Sequence, residues 1–320
     1  MHEAGDRNHR ILCAVLPAGL PGPEHFGADT TAVPTPGPGQ FLSRTLYLSI
    51  DPAVRLTPGD VVGGETVAQV LESRHPEHRP GEFVVVRNGW QQFALSSGQG
   101  VRRLDADHAP ISTALGVLGL PGLLGYTGLI YLGEPRPGQT VLVSDPTGPV
   151  GSTAGQAARI VGARAVGIAT SPDKCDYAVK QLGFAACISD VSALRTACPE
   201  GVDVYFDTVG GEVFTHALQV LAPHARVVLS GMSDAYAVGP SLAPVLTSRA
   251  TVQGIVVEDH LNRLPELERV VGSWIRAGLF HYSEDITEGL AHAPEAYCRL
   301  RRGESFGKVL VRVAPEHLGA

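Results

Sequence analysis

The chain reads as an α/β protein in which a doubly wound parallel sheet is joined to a smaller β-rich barrel. Three observations predict this. From about Leu115 onward, nearly all-apolar β-runs alternate with helical stretches, the pattern of a parallel sheet covered on both faces. Before that point, short β-patterned pieces alternate with Pro/Gly turns, as in a small barrel. Within the alternating part, the run Thr140-Val-Leu-Val-Ser144 meets a glycine-bearing turn and then a small-residue helix, Gly148-Pro-Val-Gly151-Ser-Thr-Ala-Gly155.

The barrel strands are expected at Ile11–Leu16, Gln40–Ser49, Val61–Leu71, Glu82–Val86 and Gly89–Ala94, with the Pro-rich segment Pro34–Pro38 as a loop. The parallel sheet is expected to take Thr140–Ser144, Arg164–Ala169, Ala186–Ile188, Val202–Phe206, Ala225–Ser230 and Thr251–Val257, a set that suits a nucleotide-binding topology with its cleft at the strand ends. A helix follows around Leu267–Ala277. The tail Phe306–Val313 is again a strand, and its expected partner is the barrel, which makes that domain discontinuous. The boundaries predicted are 1–117 with 288–320 for the barrel domain and 118–287 for the nucleotide-binding domain.

At 320 residues the chain is long enough for two cores. A formal charge of −7 without a basic cluster argues against a nucleic-acid partner. No apolar run approaches the roughly 20 residues that span a bilayer, so no membrane partner is expected. A small-molecule substrate is. The five cysteines, Cys13, Cys175, Cys187, Cys198 and Cys298, are scattered without a C-x-x-C pair, which reads as reduced thiols in the cytoplasm and gives no zinc-site spacing. No signal-peptide pattern precedes the first strand.

The turn carries the chemistry. At a helix N-terminus the freed backbone N–H groups and the macrodipole favour an anion, and glycines let a diphosphate approach the backbone. Against the G-x-G-x-x-G fingerprint, Pro146 replaces the first glycine while Gly148 and Gly151 keep the other two. The same segment also reads as a plain packing solution. No acid ends the second strand, where an NAD-selective site would hold the ribose hydroxyls; the chain offers Thr170, Ser171 and Lys174 instead, with Asp173 the one contrary charge. NADP(H) is therefore expected over NAD. Lys174 alone reads equally as a solvated residue of a first helical turn.

Further motifs stand in near-collinear order: Tyr47-Leu-Ser-Ile-Asp-Pro52, Gly89-Trp-Gln91, Leu115–Gly122, Val202–Asp207 with Val209-Gly-Gly211, Pro223–Val227, Ala293–Ala296 and Gly303–Lys308. Together, from about Leu42 to Val313, the chain resembles the zinc-independent medium-chain dehydrogenase/reductases, in the leukotriene B4 dehydrogenase, prostaglandin reductase and alkenal double-bond reductase group. The resemblance implies a Rossmann-type sheet with a GroES-like barrel and a homodimer. It implies NADPH-dependent reduction of a carbon–carbon double bond conjugated to a carbonyl, without a metal. Residue by residue, it places the cofactor against Thr147, Gly148, Pro149, Val150, Gly151, Thr170, Lys174, Thr208, Gly231, Tyr236, Ile255, Val257 and Ser305, and the substrate pocket at Asp51, Ala53, Arg55 and Tyr126.

The chain also departs from that pattern. Where the group has Tyr and Met after Asp-Pro, this sequence has Ala53 and Val54, and the following segment is short by roughly a dozen residues. Ser189 and Asp190 replace a tyrosine expected near the 2′-phosphate, Thr208 and Ser305 stand where asparagines meet the cofactor, and Leu124 where a threonine does. The catalytic tyrosine expected after the sixth strand is absent; Glu258, Asp259 and His260 stand there. His260 is a candidate donor to the developing enolate, and Glu258, if buried, a candidate acid. All three also read as solvated loop residues. Two functional readings follow: an NADPH-dependent enone or enal reductase, in specialised metabolism, or the same scaffold performing a cyclase or isomerase reaction or binding a ligand without catalysis.

Overall fold

The computed structural model describes residues 7–107, 109–231, 239 and 241–316. They form two units, one holding the described residues up to Leu115 and from Glu284 on, the other Gly116–Ser283.

The first unit begins with the antiparallel pair β1 (Arg7–Cys13) and β2 (Phe26–Ala32). It continues through β3 (Phe41–Ser49), β4 (Thr66–Ser73), β5 (Phe83–Val86), β6 (Phe93–Ser96) and β7 (Arg102–Leu104). The second unit runs α1 (Leu120–Thr127), β8 (Thr140–Ser144), α2 (Pro149–Ile160), β9 (Arg164–Ile168), α3 (Pro172–Lys180), β10 (Ala186–Ile188), α4 (Leu194–Ala197), β11 (Val202–Asp207), α5 (Gly211–Leu218), β12 (Leu221–Leu229), α6 (Ala243–Ser248), β13 (Thr251–Gly254) and α7 (Leu264–Arg276). The chain then returns to the first unit with β14 (Glu284–Glu288), α8 (Ala293–Arg301) and β15 (Lys308–Arg312).

In the barrel unit the sheet order is β14-β15-β3-β4-β5-β7, with β6 also on β3. The tail strand β15 pairs antiparallel with β3, Leu310 opposite Ser49, as the sequence predicts. β14 lies parallel to β15, Glu284 opposite Lys308, so the return to the barrel falls before β14 and not within it, where the boundary at 287/288 was expected. β2, β7 and β14 have no counterpart in the sequence pattern: β2 and β14 are polar and half-exposed and carry no strong apolar alternation, and β7 has only three residues. The piece predicted from Val61 starts later, at Thr66, with Val61 making only a bridge to Leu12.

In the second unit six parallel strands lie in the order β10-β9-β8-β11-β12-β13. This is the doubly wound order that reverses between β8 and β11, the place where such sheets open a ligand crevice at their carboxyl ends. β8 is buried throughout and β11 nearly so, which is why both read as continuous apolar runs. Leu129, Val141, Val143, Ala154, Ala157, Val204 and Phe206 build the core under α2, and Leu142, Val166, Tyr205, Phe214, Leu218 and Val227 the core on the opposite face. The sixth strand is shorter than expected. It ends at Gly254, and Val257–Arg263 form a 3-10 helix, so Val257, Glu258 and His260 are helical and not strand or loop residues.

Candidate functional site

The site is built on the end of β8. Asp145 leaves the strand with φ 49°, a left-handed conformation that Asp tolerates better than most side chains. Its backbone N–H stays on the Ile168 carbonyl at 3.0 Å. Thr147 is buried, Gly148 is the N-cap of α2 in extended conformation, and Pro149 opens the helix where a missing N–H costs nothing. The Ser152 N–H already bonds the Gly148 carbonyl at 2.8 Å, which leaves the first-turn N–H groups of Val150 and Gly151 at the helix end.

The glycines of this turn have separate jobs. A Cβ on Gly151 would lie 2.2 Å from the Asp145 carbonyl oxygen and 3.0 Å from that of Ser144, so its lack of a side chain lets α2 close on the strand end. Gly155 likewise gives way to the Phe184 ring and Gly125 to the Val150 carbonyl. Gly148 is different: the space a Cβ would take there holds the Asp145 carboxylate, 2.2 Å from that point.

Lys174 sits on the next strand's helix. Ser171 caps α3, its Oγ accepting the Lys174 N–H at 3.4 Å, and Pro172 fixes the first turn. The Lys174 side chain is 7 % exposed and its charge acts on Asp145, so it is not the solvated residue that a lone first-turn lysine suggests. Thr170 and Asp173 are exposed beside it. Two of the scattered cysteines meet here: the Cys187 Sγ on β10 lies 2.7 Å from the Cys175 Sγ on α3, both as free thiols.

Asp207, at the end of β11, is wholly buried and ties the central strands together. It accepts from the Tyr205 hydroxyl at 2.6 Å, the Ser144 hydroxyl at 3.0 Å and the Gly210 N–H at 3.0 Å. Thr208, expected against the cofactor, donates its hydroxyl to the Ser144 carbonyl at 3.0 Å, and its N–H to the Ser144 Oγ at 2.7 Å. Gly231 follows β12 and is half-buried. Ile255 turns its side chain into the core under α2, which leaves its backbone for any outward contact. Tyr236 lies outside the described residues.

His260 is half-buried on the 3-10 helix, and Glu258 is exposed, which removes the burial on which its expected acid role rested. That helix is anchored by its last residue. Arg263 donates to Glu266 at 3.1 Å and stacks 3.7 Å over the Tyr131 ring. The hydroxyls of Tyr126 and Tyr131 donate to the same Glu266, at 3.0 and 2.5 Å. Tyr126, expected in the substrate pocket, is thus 5 % exposed with its phenol spoken for, and burial together with Glu266 pushes its pKa up.

Within the barrel unit, Asp51 is clamped by Ser49 and by Lys308, whose Nζ also donates to the Ile50 carbonyl at 3.0 Å. Lys308 is 3 % exposed. Glu65 stands close enough that burial and the Asp51 charge raise its pKa. Ala53 and Arg55 are exposed, and Ser305 is buried. Sequence reasoning singled out neither Lys308 nor Asp207 as site residues, nor Asp145. The available signal was a charge at or next to an otherwise apolar strand.

Among the described residues no group of three or more His, Cys, Asp or Glu could hold a metal ion, and no helix is long and apolar enough to cross a membrane. Strand order, the turn at the switch point and the buried lysine beside it define a nucleotide-binding unit of the Rossmann type. Residues 149–272 match the family model described as zinc-binding dehydrogenase, and residues 9–104 the one described as N-terminal domain of oxidoreductase. The chain is 39 % identical to the NADPH-dependent curcumin reductase of Escherichia coli (strain K12), over 98 % of this chain and 99 % of that one. It is 35 % identical to prostaglandin reductase 1 of Rattus norvegicus, over 92 % and 95 %. The crystal structure of CurA from Vibrio vulnificus in complex with NADPH superposes with a TM-score of 0.90 at 35 % identity, over 96 % and 99 %. The chain belongs to the zinc-independent medium-chain dehydrogenase/reductase family, in the group that holds the curcumin and prostaglandin reductases.

Proposed function

We propose that the protein is an NADPH-dependent reductase of carbon–carbon double bonds conjugated to a carbonyl, acting on a small molecule of specialised metabolism in the cytoplasm. The observation that carries the cofactor is the α2 turn at the sheet's switch point with buried Lys174 next to it. The residues present fit a 2′-phosphorylated dinucleotide: the Val150 and Gly151 N–H groups would hold the diphosphate, and Lys174 the 2′-phosphate, with Thr147, Pro149 and Thr170 around them. Curcumin, the compound in the name of the Escherichia coli relative, carries double bonds conjugated to carbonyls.

When bound, the reduced nicotinamide supplies a hydride. This chain's part is to place the acceptor and to stabilise the negative charge that develops on the substrate's carbonyl oxygen. His260 is the candidate donor, a role worth about 3–4 kcal/mol for an aimed group in a dry site. The 3-10 helix that carries it is anchored at its end through Arg263 and Glu266. Within the barrel unit, Asp51, held by Lys308, is the candidate substrate-pocket residue, with Ala53 and Arg55. A homodimer is supported by the open edge of the parallel sheet, where all four residues of β13 are exposed, together with Leu246 of α6 at 79 %.

Titration with NADPH and NADH, followed by nicotinamide fluorescence, tests the cofactor; no binding of either leaves the reading without a hydride source. Lys174→Ala is expected to weaken NADPH binding about 10–100-fold, the worth of a charge-assisted bond, while leaving NADH affinity unchanged. Equal losses for both would remove Lys174 from the 2′-phosphate. With 2-alkenals and enones as substrates, His260→Ala is expected to lower kcat about 100–1,000-fold at intact NADPH affinity. An unchanged rate ends the donor role.

A further inference from the structure

We propose that the Asp145 carboxylate is a resident anion in the cradle that the cofactor's diphosphate enters, so that ionised Asp145 opposes cofactor binding and binding takes up a proton, a role that rests on the NADPH reading above. Asp145 leaves β8 in the left-handed region, and in that conformation its carboxylate folds back onto the N-cap of α2. It fills the space beside Gly148 that the missing side chain leaves, close to the Gly148 N–H, which itself donates to the Asp145 backbone carbonyl at 3.2 Å. Where a phosphate oxygen would approach the N-cap, a carboxyl group of the protein therefore already stands.

The electrostatics run in both directions. An acid at a helix N-terminus is favoured by the macrodipole, so Asp145 steadies α2 as long as no diphosphate is there. A diphosphate beside it adds like charge at short range and disfavours the ionised carboxylate. The charged group facing Asp145 is Lys174 on α3, whose single cation then serves both the carboxylate and the 2′-phosphate. The first turn of α2 carries no acid. Beyond Pro146 and Gly167, the Cys187 thiol of β10 is kept protonated by burial and by Cys175.

Burial pushes the Asp145 carboxyl up from the ordinary value, against the pull of Lys174 and of the Gly148 N–H. Burial thus favours its protonated form, the one compatible with a neighbouring diphosphate. The sign follows. Affinity for the cofactor rises as pH falls through the window between the carboxyl's free and loaded values, and it is flat on either side. The 2′-phosphate, which titrates near pH ~6, has the opposite sign, since meeting Lys174 expels its proton.

Asp145→Asn keeps the shape and tolerates the left-handed conformation but cannot ionise. Calorimetric titration of NADP+ into wild type and variant, from about pH 6 to 8.5 and in two buffers of different ionisation enthalpy, separates the outcomes. The expected result is about tenfold tighter binding by the variant at the alkaline end, the size of a partly buried charge at a helix terminus. That gap should narrow as pH falls, and net proton uptake should occur with the wild type and not the variant. Equal affinities across the range, or weaker binding by the variant, overturn the inference. So does wild-type binding without proton uptake above about pH 7.5, where the 2′-phosphate is already ionised and has no proton to release, a readout that stands even if the variant folds poorly. Binding of neither NADP+ nor NADPH to either protein overturns the cofactor assignment itself, and the role of Asp145 with it.

Discussion

Gly151→Ala is expected to lower the melting temperature of the nucleotide-binding unit by about 6–12 °C, a loss of about 3 kcal/mol or more. The added methyl would lie 2.2 Å from the Asp145 carbonyl oxygen and 2.9 Å from its carbonyl carbon. Both are backbone atoms at the end of a central strand, so no rotamer change relieves the contact; α2 itself must move off the sheet. That movement would carry the Val150 N–H away from the cradle, so NADPH affinity should fall together with stability. Gly19→Ala, where an added Cβ meets nothing within 4 Å, is the control and should melt like the parent. Differential scanning fluorimetry of the three proteins decides it. A Gly151→Ala protein as stable as the control would mean that the helix and strand are not in the contact described.

Asp207→Ala should be nearly as damaging, and for the opposite reason: it removes atoms. The carboxylate is wholly buried and receives the hydroxyls of Tyr205 and Ser144 and the Gly210 N–H. Truncation takes this shared acceptor away from all of them, and each buried group left unsatisfied costs about 1–3 kcal/mol. A total of at least 3 kcal/mol is expected from denaturant unfolding of the unit. Asp207→Asn retains a carbonyl oxygen for some of these donors and should recover about half of the loss. If Asn is no better than Ala, the charge and not the acceptor geometry is what matters. If Ala costs under about 1 kcal/mol, the donors have found other partners and the strand ends are not tied at this point.

Much of the fold was legible because it is written in local periodicity. Thr140–Ser144 and Val202–Phe206 are continuous apolar runs, and a strand buried on both faces needs such a run. Gly148-Pro149 with Ser152 shows a helix start, and Ser171-Pro172 another, because cap and N1 preferences act over three or four residues. The sixth strand was read too long because Ile255, Val256 and Val257 keep the apolar pattern after pairing with β12 has ended at Gly254. β2 and β14 escaped because their half-exposed faces carry Asp, Thr and Glu, and only their partners make them strands.

The site was less legible, since its residues act through neighbours distant in sequence. Tyr126, expected at the substrate pocket, gives its hydroxyl to Glu266, 140 positions on. Thr208, expected against the cofactor, gives its hydroxyl to the end of β8. Cys175 and Cys187 looked isolated, and the β9–α3–β10 crossover sets their sulfurs side by side.

By itself the sequence determined that a parallel sheet with a glycine turn would be joined to a barrel closed by the chain's last strand, and that the second strand would end without an acid and be followed by a lysine. These properties follow from side-chain period, turn chemistry and the order of motifs, all of which act within a few residues. Only the tertiary structure decided where the charges go: Lys174 buried and facing Asp145, Asp145 over the Gly148 N–H, Lys308 on Asp51, Glu266 between two tyrosines. A charge in a folded chain is governed by what lies within a few ångströms of it, and the strand order, not the sequence interval, sets those neighbours.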